Sequence, residues 1–320
     1  MNKTLIALAA STLVAGTANA APSCPSTGDP LADYQCVQIN TGNNAFGDGV
    51  THSFYELGIT GTLATSIYTG LTAGSTIIDT NIQSVLNGYG ITSGTYNNIA
   101  TPTGQVSFSD AATVGQRNID SLNPLDIDNA APGNDIEGFR QQNGWGLVFD
   151  YYLEGTLTGV GPSFSTGYFD IFYTSADANN GKQVLRVDID GSALNAANLD
   201  LFGLVSFDFD QDGDSDELGD TFVKDFWNWA SGEPSGGGTS WGDLFLANID
   251  QRITFSLDTN VNPPIPEEQQ LAAFTTEQYG TVFARQTTLD SSVRFNVPEP
   301  FSLALVGLGL LGLGVTRRRK

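Results

Sequence analysis

The chain has 320 residues, enough for one large domain or two, and a formal net charge of −22 that argues against affinity for nucleic acid or an anionic membrane surface. Charged residues make up only 15% while glycine reaches 37 residues, which excludes a charged helical bundle and points to turn-rich extracellular β-structure.

Residues 1–20 carry Lys3, an apolar stretch from Leu5 to Val14, and the small residues Ala18, Asn19 and Ala20 ahead of Ala21. This is the pattern of a secretory signal peptide, threaded through the secretion translocon and cut between Ala20 and Ala21 by signal peptidase. Residues 21–296 then hold eight Lys/Arg against 34 Asp/Glu, a charge of −26. Cys24 and Cys36 are the only two cysteines. In an oxidising compartment they read as one disulfide pinning a Pro-, Gly-, Asn- and Asp-rich loop over residues 21–50.

The region 51–296 reads as mainly β. Residues 53–68 alternate aromatic or aliphatic with polar residues or glycine, with a bulge or turn at Gly58 and Gly61 dividing the stretch in two. Ile78, Ile82, Val85 and Leu86 fall near helical spacing, so a helix is predicted over 77–89, followed by a loop over 90–103 and a short strand over 105–108. Residues 121–139 form an acidic, turn-rich loop. Strand-like runs follow at 145–157, 168–174, 183–190 and 201–208, separated by glycine-containing turns. Asp188-x-Asp190-Gly191 reads as a strand end with an Asp-Gly turn. Residues 222–230 fit either a strand or a short helix, and strands are predicted at 253–257, 282–285 and 292–297. Strands at such spacing argue an antiparallel β-sandwich or jelly roll over residues 51–296, with a two-domain split near 110–140 as the alternative.

The strongest local chemical signal is acidic. Asp208, Asp210, Asp212, Asp214, Asp216, Glu217 and Asp220 alternate through DFDQDGDSDELGD, with Gly213 where a tight loop needs it. Calcium takes six to eight oxygens, and carboxylates spaced around a glycine turn supply them from one loop. The start matches the D-x-D-x-D-G of an EF-hand loop, but Gly219 stands at the twelfth position in place of the bidentate glutamate. The expectation is a structural Ca²⁺ loop; a solvated acidic turn is the alternative. The looser cluster of Asp126, Asp128, Asp135 and Glu137 lacks that spacing. Trp145, Trp227, Trp229 and Trp241, with Tyr151 and Tyr152, offer flat faces for stacking on a glycan, the Trp227 and Trp229 stretch beside the acidic loop being the best placed, although most aromatics of a β-sandwich are core.

Nucleophilic catalysis has little support: His52 is the only histidine, and no G-x-S-x-G elbow accompanies it. The glycines Gly307, Gly309 and Gly312 spell G-x-G-x-x-G, but with no strand or βαβ unit around them. A carboxylate pair for glycoside hydrolysis is not identifiable among 34 acidic residues. No catalytic residue is therefore assigned, and the protein is expected not to be an enzyme.

The chain ends with Val297, Pro298, Glu299 and Pro300, an apolar run over 301–315, Thr316, and the basic cluster Arg317, Arg318, Arg319 and Lys320. That run is short for a spanning helix, which needs roughly 20 residues, and its basic end is expected on the cytoplasmic side. Residues 297–320 resemble the PEP-CTERM sorting signal of Gram-negative bacteria. The resemblance implies recognition and removal of the tail by a membrane-embedded exosortase after export, so that the transmembrane helix is a transient anchor. The phrases ELGITGTLATSIY (56–68), SLNPL…EGF…WGLVFDYYLEGTLTG (121–159) and FDIFYTSADANNGKQVL (169–185) are similar to exported PEP-CTERM proteins associated with flocculation. That similarity implies a cell-surface or extracellular-matrix protein that promotes exopolysaccharide-associated aggregation into flocs or biofilm. The alternative is a secreted carbohydrate-active enzyme using an unidentified carboxylate pair.

Overall fold

The structure, a computed structural model, describes residues 37–42, 49–51, 54–110, 117–123, 138–140, 144–195, 198–209, 217–229, 240–246, 253–260 and 264–296. The signal peptide with Ala20 and Ala21, the Cys24–Cys36 pair, His52, the carboxylates from Asp210 to Asp216, the cluster from Asp126 to Glu137, and the tail from Val297 onward lie outside these residues.

The strands are β1 (Val37–Ile39), β2 (Glu56–Tyr68), β3 (Thr76–Thr80), β4 (Gly94–Asn97), β5 (Gln105–Phe108), β6 (Ser121–Asn123) and β7 (Gly146–Leu157). They continue with β8 (Pro162–Thr174), β9 (Gln183–Asn195), β10 (Asn198–Ser206), β11 (Trp227–Trp229), β12 (Thr254–Asn260), β13 (Ala272–Thr276) and β14 (Gly280–Asn296). Three short helices, α1 (Gln83–Gly88), α2 (Thr221–Phe226) and α3 (Trp241–Leu246), lie among them.

The domain is mainly β, antiparallel and sandwich-like, as the strand spacing predicted. Its ladder is continuous around the molecule: β14, β12, β10, β9, β8, β7, β3 and β2 are neighbours in turn, and β2 pairs back onto β14 from Glu56↔Arg294 to Tyr68↔Phe283. The two layers therefore join at both edges into a flattened barrel, which removes the exposed strand edges an open sandwich keeps. Strands from both sides of residues 110–140 share this one ring, with β2 and β3 standing between β14 and β7. β6 and its upstream residues fill the ring below β3, bridging β2 through Leu57↔Leu122 and β7 through Asn118↔Val148.

Period-two patterning fills the interior. Leu147, Phe149, Tyr151 and Leu153 of β7, Phe169, Ile171 and Tyr173 of β8, Leu185, Val187 and Ile189 of β9, and Phe255 and Leu257 of β12 are buried in one cluster. A plug closes one end: β1 pairs with β11, and Phe226, Trp227 and Trp241 pack with Val37, Ile39 and Phe295. A second, smaller core lies outside the wall. There Leu86, Ile91, Phe108 and Phe274 cover Ile67, Ile78, Val282 and Ala284.

One irregularity sets which side chains face inward along β2. Thr62 pairs with Leu289 but Ile59 with Ser291, so β2 carries an extra residue there. Gly61 adopts φ 66° at this bulge, and its N–H donates to the Asp290 carboxylate at 2.8 Å. An inserted residue swaps the faces of a strand: Leu57 and Ile59 point inward before it, and Ala64, Ser66 and Tyr68 after it. Gly155 sits at a similar step between β7 and β8, where a Cβ would meet the Ser163 carbonyl oxygen at 2.0 Å.

Several sequence expectations change. The helix predicted over 77–89 is β3 followed by α1: the β-branched Thr76, Ile77, Ile78 and Thr80 are drawn into the ladder between β2 and β7. The loop over 90–103 contains β4, which pairs with β5. Of the bulge or turn read at Gly58 and Gly61, the bulge is present beside Gly61, and residues 56–68 remain one strand. Gly191 is not at a turn: β9 runs on to Asn195, with Asp190 skipped at a bulge opposite Phe202 and Gly203. Both readings of 222–230 hold in part, since α2 passes directly into β11. The strands predicted at 282–285 and 292–297 are parts of the single strand β14.

Candidate functional site

The barrel is solid at its plugged end and hollow in the other half. A cavity of about 410 Å³ lies there, within the size range of small-molecule sites. Its walls are largely apolar: Ile77, Leu153, Phe164, Phe169, Leu201 and Leu257.

One row of the ladder makes the polar part. Arg285 on β14 pairs with Ser66 on β2, which pairs with Asp79 on β3, so all three side chains share a face, and that face is the interior. The Ser66 hydroxyl donates to Asp79 Oδ2 at 2.5 Å, and the Tyr151 phenol donates to Oδ1 at 2.5 Å. Ser66 and Arg285 also act on the Tyr68 phenol, both favouring its ionised form. Arg285 is 4% exposed. Asp79 keeps some accessible surface, but as a cavity-lining group it turns that surface to the cavity.

Burial dominates the proton affinities here. It raises the Asp79 carboxyl above the ordinary carboxylate value, against the opposing pull of the Ser66 and Tyr151 donors and the Arg285 charge. Burial, with the charge of Asp79 and the bond to it, pushes the Tyr151 phenol well above its usual range. Tyr68 is raised by burial too, with the Arg285 charge working against the rise.

The cavity reaches the surface through the wall. On the side of β14 away from β2, β13 pairs with residues 280–284 and β12 with residues 291–296. Among the described residues none continues the ladder against residues 286–290 on that side, and Thr287, Thr288, Leu289 and Asp290 line the cavity there, with Thr288 and Asp290 exposed. A second buried charge, Asp170 on β8, is structural. It accepts from Arg186 Nε and Nη2, both at 2.7 Å, and from Gln183 Nε2 at 2.8 Å.

The residues singled out in the sequence lie elsewhere. Asp208 is exposed just past the end of β10. Asp220 caps α2, accepting from the N–H of Phe222 at 2.8 Å and of Val223 at 3.4 Å, and pairs with Lys182. Burial works to raise its carboxyl, but Lys182 and the two backbone donors outweigh it and hold it below the ordinary value. Among the described residues, no group of three or more His, Cys, Asp or Glu is placed to hold a metal ion. Trp227 and Trp241 are fully buried and stack on each other at 5.4 Å, with Phe295 against both and the Trp227 indole N–H donating to the Val184 carbonyl at 3.0 Å. This corrects the glycan-stacking expectation for these two rings, because packing occupies the faces a sugar would need. The Trp229 side chain lies outside the described set, although its backbone belongs to β11.

Sequence reasoning missed Asp79, Arg285, Ser66 and Tyr68, and singled out Tyr151 only as a glycan-stacking ring, whereas its phenol donates to Asp79. The readable clue was Ile77-x-Asp79 in a β-branched stretch, which puts a carboxylate on the apolar face of a strand.

Comparison with known proteins bears on the tail. Residues 296–320 match the family model of the PEP-CTERM protein-sorting motif, which implies export, C-terminal sorting and processing by an exosortase. Neither the curated proteins nor the solved structures gave a match to the chain. No helix among the described residues is long and apolar enough to cross a membrane.

Proposed function

We propose that this exported, exosortase-sorted protein acts at the cell surface or in the extracellular matrix, where it promotes exopolysaccharide-associated aggregation. The observation that carries the reading is the sorting motif at residues 296–320. The −26 charge of residues 21–296 supports it, since such a domain has no attraction of its own for an anionic membrane and associates with polymer through bridging divalent cations. Once the tail is removed, covalent attachment or polymer contact retains it.

Gene deletion in the source organism tests this. The expected result is loss of aggregation with unchanged composition and chain length of the extracellular polysaccharide, restored by the full gene but not by one lacking codons 297–320. A changed polymer chain length would instead support a secreted carbohydrate-active enzyme.

A calcium loop spanning Asp208 to Asp220 belongs to the same proposal. Saturating Ca²⁺ is expected to raise the melting temperature of the exported protein, because a ligand at about 100 times its Kd adds roughly 2.7 kcal/mol. Chelator and an Asp210→Ala/Asp212→Ala variant should each abolish the rise. Equal midpoints with Ca²⁺ and chelator in the wild type sink the loop.

A further inference from the structure

We propose that the barrel cavity binds one neutral amphiphile, a molecule with a medium-chain or ring-bearing apolar body and a single hydroxyl or carbonyl group. This goes beyond the matrix role and does not rest on it. Three features of the cavity define the ligand class.

The first is the wall. Ile77, Leu153, Phe164, Leu199, Leu201 and Leu257 present apolar surface from five strands, which suits an aliphatic or ring system and not the hydroxyl-dense surface of a sugar.

The second is the row Arg285, Ser66 and Asp79, joined by Tyr151. Polar side chains inside a barrel cost stability relative to apolar ones of the same size, and here Arg285, Ser66 and Asp79 are gathered in one row of the wall, with Thr259, Thr287, Thr288 and Asp290 as further polar lining. A carboxylate oxygen accepts more than one hydrogen bond and a guanidinium carries five donors. A ligand hydroxyl or carbonyl can therefore join the cluster without displacing the Ser66 and Tyr151 bonds to Asp79.

The third is charge. Asp79 and Arg285 already oppose each other across Ser66. An anionic or cationic head would bring an uncompensated charge into this enclosed space, whereas a neutral head leaves the balance intact. Access is through the stretch of β14 at residues 286–290, against which no strand among the described residues is laddered on one side, and where the half-exposed Leu289 stands at the mouth.

The test is fluorescence titration of the exported protein with N-phenyl-1-naphthylamine, then displacement by dodecanol, dodecanoate and dodecylamine. The expected result is saturable uptake of one probe per chain, with dodecanol displacing it and the two charged analogues weaker by roughly ten-fold or more, the direction set by charge burial. Leu289→Trp, at a partly exposed position that tolerates the larger ring, should abolish uptake with an unchanged melting temperature. Ala64→Phe, on the inner face beside Ser66, should do the same from inside. Absence of saturable uptake by the wild type, or uptake untouched by both variants, overturns the cavity as the site. Dodecanoate or dodecylamine matching dodecanol overturns the neutral head group.

Discussion

Replacing Trp227 by alanine should destabilise the protein by about 3–5 kcal/mol, the usual cost of emptying a buried aromatic site. The indole is fully buried, stacks on Trp241, meets Phe226 and Phe295, and donates to the Val184 carbonyl. It thus ties β11 to β9 and β14 at the plugged end. Against a typical total of about 5–15 kcal/mol, this loss brings many domains of this size to the edge of unfolding. Urea denaturation should show a large fall in midpoint for Trp227→Ala, a smaller one for Trp227→Phe, and a change within about 0.5 kcal/mol for Val160→Ala, whose side chain is 72% exposed. Equal effects of Trp227→Ala and Val160→Ala would mean that the plug is not part of the cooperative core.

The second large effect is expected at Asp79. Asp79→Ala removes the acceptor of Ser66 and Tyr151 together with the carboxylate charge that acts on the same site as Arg285, and each buried donor left without an acceptor costs about 1–3 kcal/mol. Asp79→Asn keeps the shape and an acceptor, so its cost should be smaller and should depend on pH. Because the folded-state carboxyl is raised, folding takes up protons at Asp79. Its contribution is fully present below the ordinary carboxylate value and is lost as pH rises through the raised value. The stability of the wild type minus that of Asp79→Asn should therefore fall as pH rises across that window and then level off. A difference that instead grows with pH would show that Arg285 and the two hydroxyl donors outweigh burial. Asp220, held low by Lys182 and its backbone donors, acts in the opposite sense: its contribution is present above the ordinary carboxylate value and is lost on acidification.

The β-class and most central strands were legible because β7, β8, β9 and β12 alternate apolar and polar residues within windows shorter than a turn of sequence context. What was not legible depends on distant pairing. Residues 77–80 satisfy a helical spacing locally, and only the ladders of β2 and β7 on either side make them a strand. Closure of the ring is a contact between residues 56–68 and 283–294, and no local pattern announces it. The site follows from both. Asp79 lies in the stretch read as helix, Arg285 in one of two strands that are a single strand, and the inward turn of Ser66 depends on one extra residue near Gly61. The tail was readable without any fold, since its proline motif, apolar run and basic end are contiguous in sequence.

The seam between β2 and β14 also sets an order of events in time. A chain exported from its N-terminus delivers β2 to the far side of the membrane long before β14, and until then the edge of β2 that β14 will cover is open. The strand that closes the ring ends at Asn296, the first residue of the sorting match. Barrel closure and arrival of the tail at the membrane are thus nearly simultaneous, and the loop to be closed is almost the whole domain, which makes this the slow and costly step of folding. A chain stalled before residue 283 has neither a closed barrel nor a handle for the sorting enzyme, so completion of the fold and eligibility for sorting are decided by the same last strand.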